Sequence, residues 1–135
     1  MIRYWRLAMK NIGFITTNKV LAQSVSETIK AKPELEFKPY LLLNPQQALI
    51  DAEIMKIDVA VVDVSEKTLK DPNALLCFCR DLKKNIPEIH ILLFVQQEDT
   101  AGCKMAIEIV ESGTADDFVF YDASLEYLFA KLAAF

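Results

Sequence analysis

With 135 residues, 53% of them hydrophobic and 25% charged, the chain has enough apolar surface for one full core and too little length for two domains of ordinary size. A net charge of −4, with Lys83-Lys84 the one adjacent basic pair, argues against a nucleic-acid surface. No apolar run approaches the roughly 20 residues of a membrane span, and Met1 to Arg6 lacks the apolar segment and cleavage site of a signal peptide, so a cytoplasmic protein with no membrane partner is expected.

Residues 1–10 read as an N-terminal extension with three basic residues and one Trp, and residues 11–135 as the domain. Ile12 to Thr16 reads as the first strand; Asn18 is placed to cap a helix running to about Ala31, with Leu21, Val25 and Thr28 on one face and Pro33 as its stop. Leu35 to Leu43 supplies a second strand. Asn44-Pro45 then reads as a helix opening, with Asn as cap and Pro in the first turn, and Ala48, Leu49, Ala52 and Met55 facing inward.

Ile57 to Asp63 is the stretch the rest is arranged around. Val59 to Val62 offers no polar residue to water, so both faces need cover, which is the habit of central strands in parallel sheets. Asp63 stands at the carboxyl end of that strand, where open α/β sheets place their ligands. A polar loop from Ser65 leads to Asp71-Pro72-Asn73, a helix start, and to an apolar stripe of Leu75, Leu76, Cys79, Leu82 and Ile86.

Pro87 precedes a second all-covered strand, Ile89 to Val95. Glu98 and Asp99 suit the positive end of a helix over Thr100 to Glu111, which buries Met105 and Ile109 with Ala106 and Val110 and ends at Ser112-Gly113. Phe118 to Tyr121 reads as the last strand, and Ser124 caps a last helix carrying Leu125, Leu128, Phe129 and Leu132. Five strands alternating with five helices specify a doubly wound five-stranded parallel α/β sheet between two helical layers, of flavodoxin-like strand order.

Cys77, Cys79 and Cys103 are expected as reduced thiols; two residues apart on a helix, Cys77 and Cys79 point to different sides, and His90 is the single histidine, so no metal site and no cofactor are expected. Thr16-Thr17-Asn18 admits a reading as a phosphate or flavin loop, but the three glycines are Gly13, Gly102 and Gly113, none of them there. A corrin site fails because His90 lies inside a strand.

In order and phrasing, residues 11 to about 133 resemble a receiver domain of the bacterial response regulators. Ile57 to Asp63 is similar to that family's third strand, which ends in the phosphate-accepting aspartate; Pro87 with Glu88 to Val95 resembles its fourth strand, and Gly113-Thr114-Ala115-Asp116-Asp117-Phe118 its entry into the fifth. The resemblance implies a regulatory domain of signal transduction, not an enzyme, with Asp63 as the phosphoacceptor equivalent.

The remaining positions depart from the family pattern. The two acidic residues that help hold magnesium fall on Thr16 and Thr17, the hydroxyl residue ending the fourth strand falls on Val95, the lysine of the fifth strand on Tyr121, and the proline four after the aspartate on Lys67. Neutral hydroxyls do not replace carboxylates around a hard cation, and phosphoryl transfer loses its charge stabilisation without metal and lysine. An atypical receiver is therefore expected, with the usual magnesium-dependent phosphorylation absent and Asp63 accepting hydrogen bonds from the Thr16/Thr17 loop; a phosphoacceptor using Asp63 and a flavin- or nucleotide-binding domain stand as alternatives. By the same resemblance, a homodimer or partner contact is expected through residues from about Ala101 to Leu132, with Phe120, Tyr121 and Tyr127 as interface candidates, and an attached effector or ATPase domain is compatible with it.

Overall fold

In a computed structural model, which describes residues 9–65 and 71–135, five strands form one parallel sheet: β1 Lys10–Ile15, β2 Phe37–Leu42, β3 Val59–Asp63, β4 His90–Val95 and β5 Asp117–Phe120. Five helices connect them: α1 Lys19–Lys30, α2 Ala48–Ile54, α3 Pro72–Asn85, α4 Thr100–Glu111 and α5 Leu125–Ala133. The strand order β2-β1-β3-β4-β5 is the flavodoxin-like one expected from the alternation of elements. Residues 1–8 of the expected extension, and Lys67, lie outside the described residues.

All five residues of β3 are buried, as are five of the six of β4, because helices cover both faces of the sheet centre. One apolar layer joins Ile15, Ala60, Val62, Leu93 and Val95 to Leu75, Phe78, Leu82, Met105 and Ile109 from α3 and α4. The other joins Ile12, Phe14, Val59, Val61, Leu92 and Phe94 to Val25, Ile29, Leu128, Phe129 and Leu132 from α1 and α5. Alternate residues of each strand feed opposite layers, as the pleat requires.

Several expected boundaries move for local reasons. β1 begins at Lys10, two residues before Ile12, because Lys10 and Asn11 already pair with Phe37 and Lys38 of β2. β2 starts at Phe37, not Leu35, since Pro33–Leu35 makes a 3-10 turn and Glu36 takes a left-handed φ of 58°. Asn44-Pro45 does not open α2. The Asn44 Oδ1 accepts from the Gln46 amide at 3.1 Å, closing a turn on itself, and α2 starts at Ala48. Ala48 and Ala52 of α2 are buried, whereas Met55 is 38% exposed.

On α1 the inward face is Ala22, Val25, Ser26 and Ile29, so Leu21 and Thr28 flank it instead of leading it. Phe78, absent from the expected stripe of α3, is buried in it. β5 ends at Phe120, and Tyr121 lies just beyond the strand. Cys79 behaves as a small apolar residue: burial pushes its thiol up to about 12.

Candidate functional site

The carboxyl ends of β1, β3 and β4 and the residue after β5 converge. Parallel register sets this: Ile15 pairs with Val62, Asp63 with Phe94, and Val95 with Phe120, so Thr16, Asp63, Val95 and Tyr121 emerge at one edge of the sheet. The amide of Tyr121 donates to the Val95 carbonyl at 2.9 Å, extending the ladder one residue past β5.

Asp63 is 2% exposed and is one of three buried polar residues among the described residues. The Thr16 hydroxyl donates to its Oδ2 at 2.6 Å. Its Oδ1 accepts from the Ser65 amide at 3.0 Å and from the Ser65 hydroxyl at 2.6 Å. The Tyr121 hydroxyl donates to the same Oδ1, and lies 3.0 Å from the Ser65 hydroxyl. A buried carboxylate is stable when its oxygens have donors, and here three meet Oδ1 and one meets Oδ2.

Each donor is held by its own neighbours. Thr16 follows β1, and its hydroxyl oxygen accepts from the Asn18 amide at 3.0 Å while Asn18 caps α1 through the Leu21 amide. The Tyr121 ring stacks on Phe94 with centroids 4.4 Å apart, which fixes its direction over the strand ends. Val95 is 1% exposed and adds only apolar wall. Thr17 lies on the exposed turn beside Thr16.

All four donors to Asp63 are neutral, and among the described residues no Lys, Arg or His pairs with it. A void touching Asp63 and Thr16 measures about 10 Å³ and is otherwise lined by apolar side chains such as Phe14, Val61 and Phe94. That space is at most one water molecule wide.

Of the residues singled out in the sequence, Thr16, Asp63, Val95 and Tyr121 come together here. Phe120 is half-buried and meets Phe118 edge to face at 5.6 Å. Tyr121 is half-buried, with its hydroxyl turned to Asp63. Tyr127 is 49% exposed on α5, with Leu125 and, on α4, Ile107 also exposed. Ser65 was not anticipated: two residues past a strand end, a serine in a polar loop carries no signal of its own.

No family model matches the chain, and no curated protein matches it in sequence. Solved structures match it over 92–93% of its length. The signal receiver domain of a response regulator from Bermanella marisrubri is 19% identical, with a TM-score of 0.72 over 92% of this chain and 95% of that one. A response regulator from Burkholderia pseudomallei, with a phosphorylated aspartic acid, calcium ion and citrate, is 23% identical, with a TM-score of 0.71 over 93% of this chain and 69% of that one. The signal receiver domain of an HD domain-containing protein from Pseudomonas fluorescens is 13% identical, with a TM-score of 0.73 over 93% and 85%. The chain has the fold of the response-regulator receiver domains.

Proposed function

We propose that this domain is a regulatory protein-interaction module of signal transduction, an atypical receiver that works in the cytoplasm without magnesium-dependent phosphorylation of Asp63. The observation that carries the reading is the closed carboxylate: Asp63 is 2% exposed and its Oδ1 already accepts three hydrogen bonds. Phosphoryl transfer needs a carboxylate oxygen free to attack in line, and cations to neutralise the charge on the transferring group. Thr16 and Thr17 do not fit a magnesium ion, because their hydroxyls bring no negative charge and that of Thr16 is spent on Asp63.

With the carboxyl edge closed, signalling rests on surface contacts. Ile107 of α4 and Leu125 and Tyr127 of α5 are exposed, and Lys131 pairs with Asp117 and sits 5.5 Å over the Tyr127 ring. Exposed apolar groups rimmed by charge suit a homodimer or a protein partner. An attached effector domain, of the sort that the HD domain-containing neighbour's name indicates for that protein, would receive the output.

Intact-mass measurement after incubation with acetyl phosphate and magnesium tests the reading. The chain is expected to gain no phosphoryl group under conditions that label a typical receiver, and to lose self-association or partner binding on Tyr127→Ala. A stable phosphoryl adduct that disappears in Asp63→Asn would establish the phosphoacceptor instead.

A further inference from the structure

The opposite edge of the sheet, where the strands begin, holds the end of α5. Helix C-termini leave carbonyls without intrahelical partners. Here Lys10 of β1 supplies them: its ammonium donates to the Leu132 carbonyl at 2.9 Å, to the Ala133 carbonyl at 3.4 Å and to the Phe135 carbonyl. Desolvation lowers the Lys10 pKa against the pull of Asp58.

His90, the first residue of β4, stacks its ring on Phe135 with centroids 4.8 Å apart and planes 12° from parallel. Its Nδ1 is buried and has no hydrogen-bond partner, although it lies 3.5 Å from Oδ1 of Asp116. Asp116 is otherwise engaged through Oδ2, which accepts from the Ile91 amide at 2.7 Å and from Lys83 of α3 at 3.1 Å. An imidazole nitrogen facing a carboxylate with no bond formed is a position that improves when a proton is added.

We infer that Lys10, His90 and Asp116 form an acid-tightened latch that ties the end of α5 to the amino edge of the sheet. Protonated His90 turns an unbonded Nδ1 into a charged donor aimed at Asp116 and lays a cation on the Phe135 ring. The charged groups around it are Lys10 from β1, Asp58 ahead of β3, Glu88 ahead of β4, Asp116 ahead of β5, and Lys83 from α3 held on Asp116. Histidine is the side chain whose ordinary range, around pH 6.5, makes this protonation accessible.

Amide hydrogen exchange over the last turn of α5, corrected for intrinsic rates, reads the latch in the full chain. Protection of residues 130–135 is expected to rise about threefold from about pH 7.5 to about pH 5.5, to be flat in His90→Gln, and to be flat but still present in His90→Phe, which keeps the ring stack. The Phe135 ring protons of the wild type should follow one titration step with the His90 ring, a readout that needs no variant. Flat protection in the wild type, the same pH response in His90→Gln, or Phe135 protons without that step would each overturn the inference.

Discussion

Asp63 shows how a residue's position and its chemistry separate. Its place at the end of a fully buried strand comes from the apolar run before it, and the same burial obliges the carboxylate to find partners within reach. Thr16, Ser65 and Tyr121 provide them, and Tyr121 also closes the edge with its ring on Phe94. Tyr121→Phe keeps the stack and removes one hydrogen bond to a charged acceptor. With the two Ser65 donors still on Oδ1, the loss is expected at the low end for such a bond, about 1.5 kcal/mol, read as a lower urea midpoint at unchanged m. An unchanged midpoint would mean that the hydroxyl contributes nothing to holding Asp63. Thr16, Val95 and Tyr121 were legible through the resemblance to receiver domains, whose pattern positions around the aspartate fall on them. The inward turn of Tyr121 was not, since its direction depends on stacking against Phe94 across two strands, and Ser65 depends on a loop whose path no periodicity describes.

Elements carry their own local logic, and α4 is the sharpest case. Asp99 caps it by accepting from the Gly102 amide at 2.9 Å. A Cβ at Gly102 would stand 2.4 Å from the Asp99 Oδ2, so the cap and a larger residue cannot share that space. In an ordinary helix Gly→Ala stabilises by up to about 1 kcal/mol. Here Gly102→Ala is expected to destabilise by about 1 kcal/mol, because the carboxylate must leave its capping position. Thermal unfolding of Gly102→Ala checks this, and a raised Tm would show that the cap is dispensable. The bounds of α4 were readable from sequence because cap, apolar spacing and Gly113 at φ 81° agree. α2 was misplaced because Asn44-Pro45 is an equally good signal for a turn, and only the Asn44 to Gln46 hydrogen bond decides between the two. The one- and two-residue shifts of β1, β2 and β5 depend on which neighbours pair, which one strand's sequence does not contain.

At the scale of the whole molecule, the order β2-β1-β3-β4-β5 divides the domain into two edges with different chemistry. At the carboxyl edge the hydroxyls of Thr16, Ser65 and Tyr121 donate to Asp63; the amino edge holds Lys10, His90 and Asp116 against the end of α5. The fold was largely legible because two all-covered strands leave few alternatives to a parallel sheet with helices on both faces. Closure of the site was only partly so: the sequence shows which family side chains are replaced, while the hydrogen bonds among the replacements are a property of packing. Closure is tested most directly by amide NMR spectra recorded during addition of magnesium with beryllium fluoride, a mimic of a phosphorylated aspartate. Signals of Thr16, Val64, Ser65, Gln96 and Tyr121 are expected to stay unmoved, with Asp63 still held by its hydroxyls; saturable shifts centred on those residues, lost in Asp63→Asn, would contradict the account.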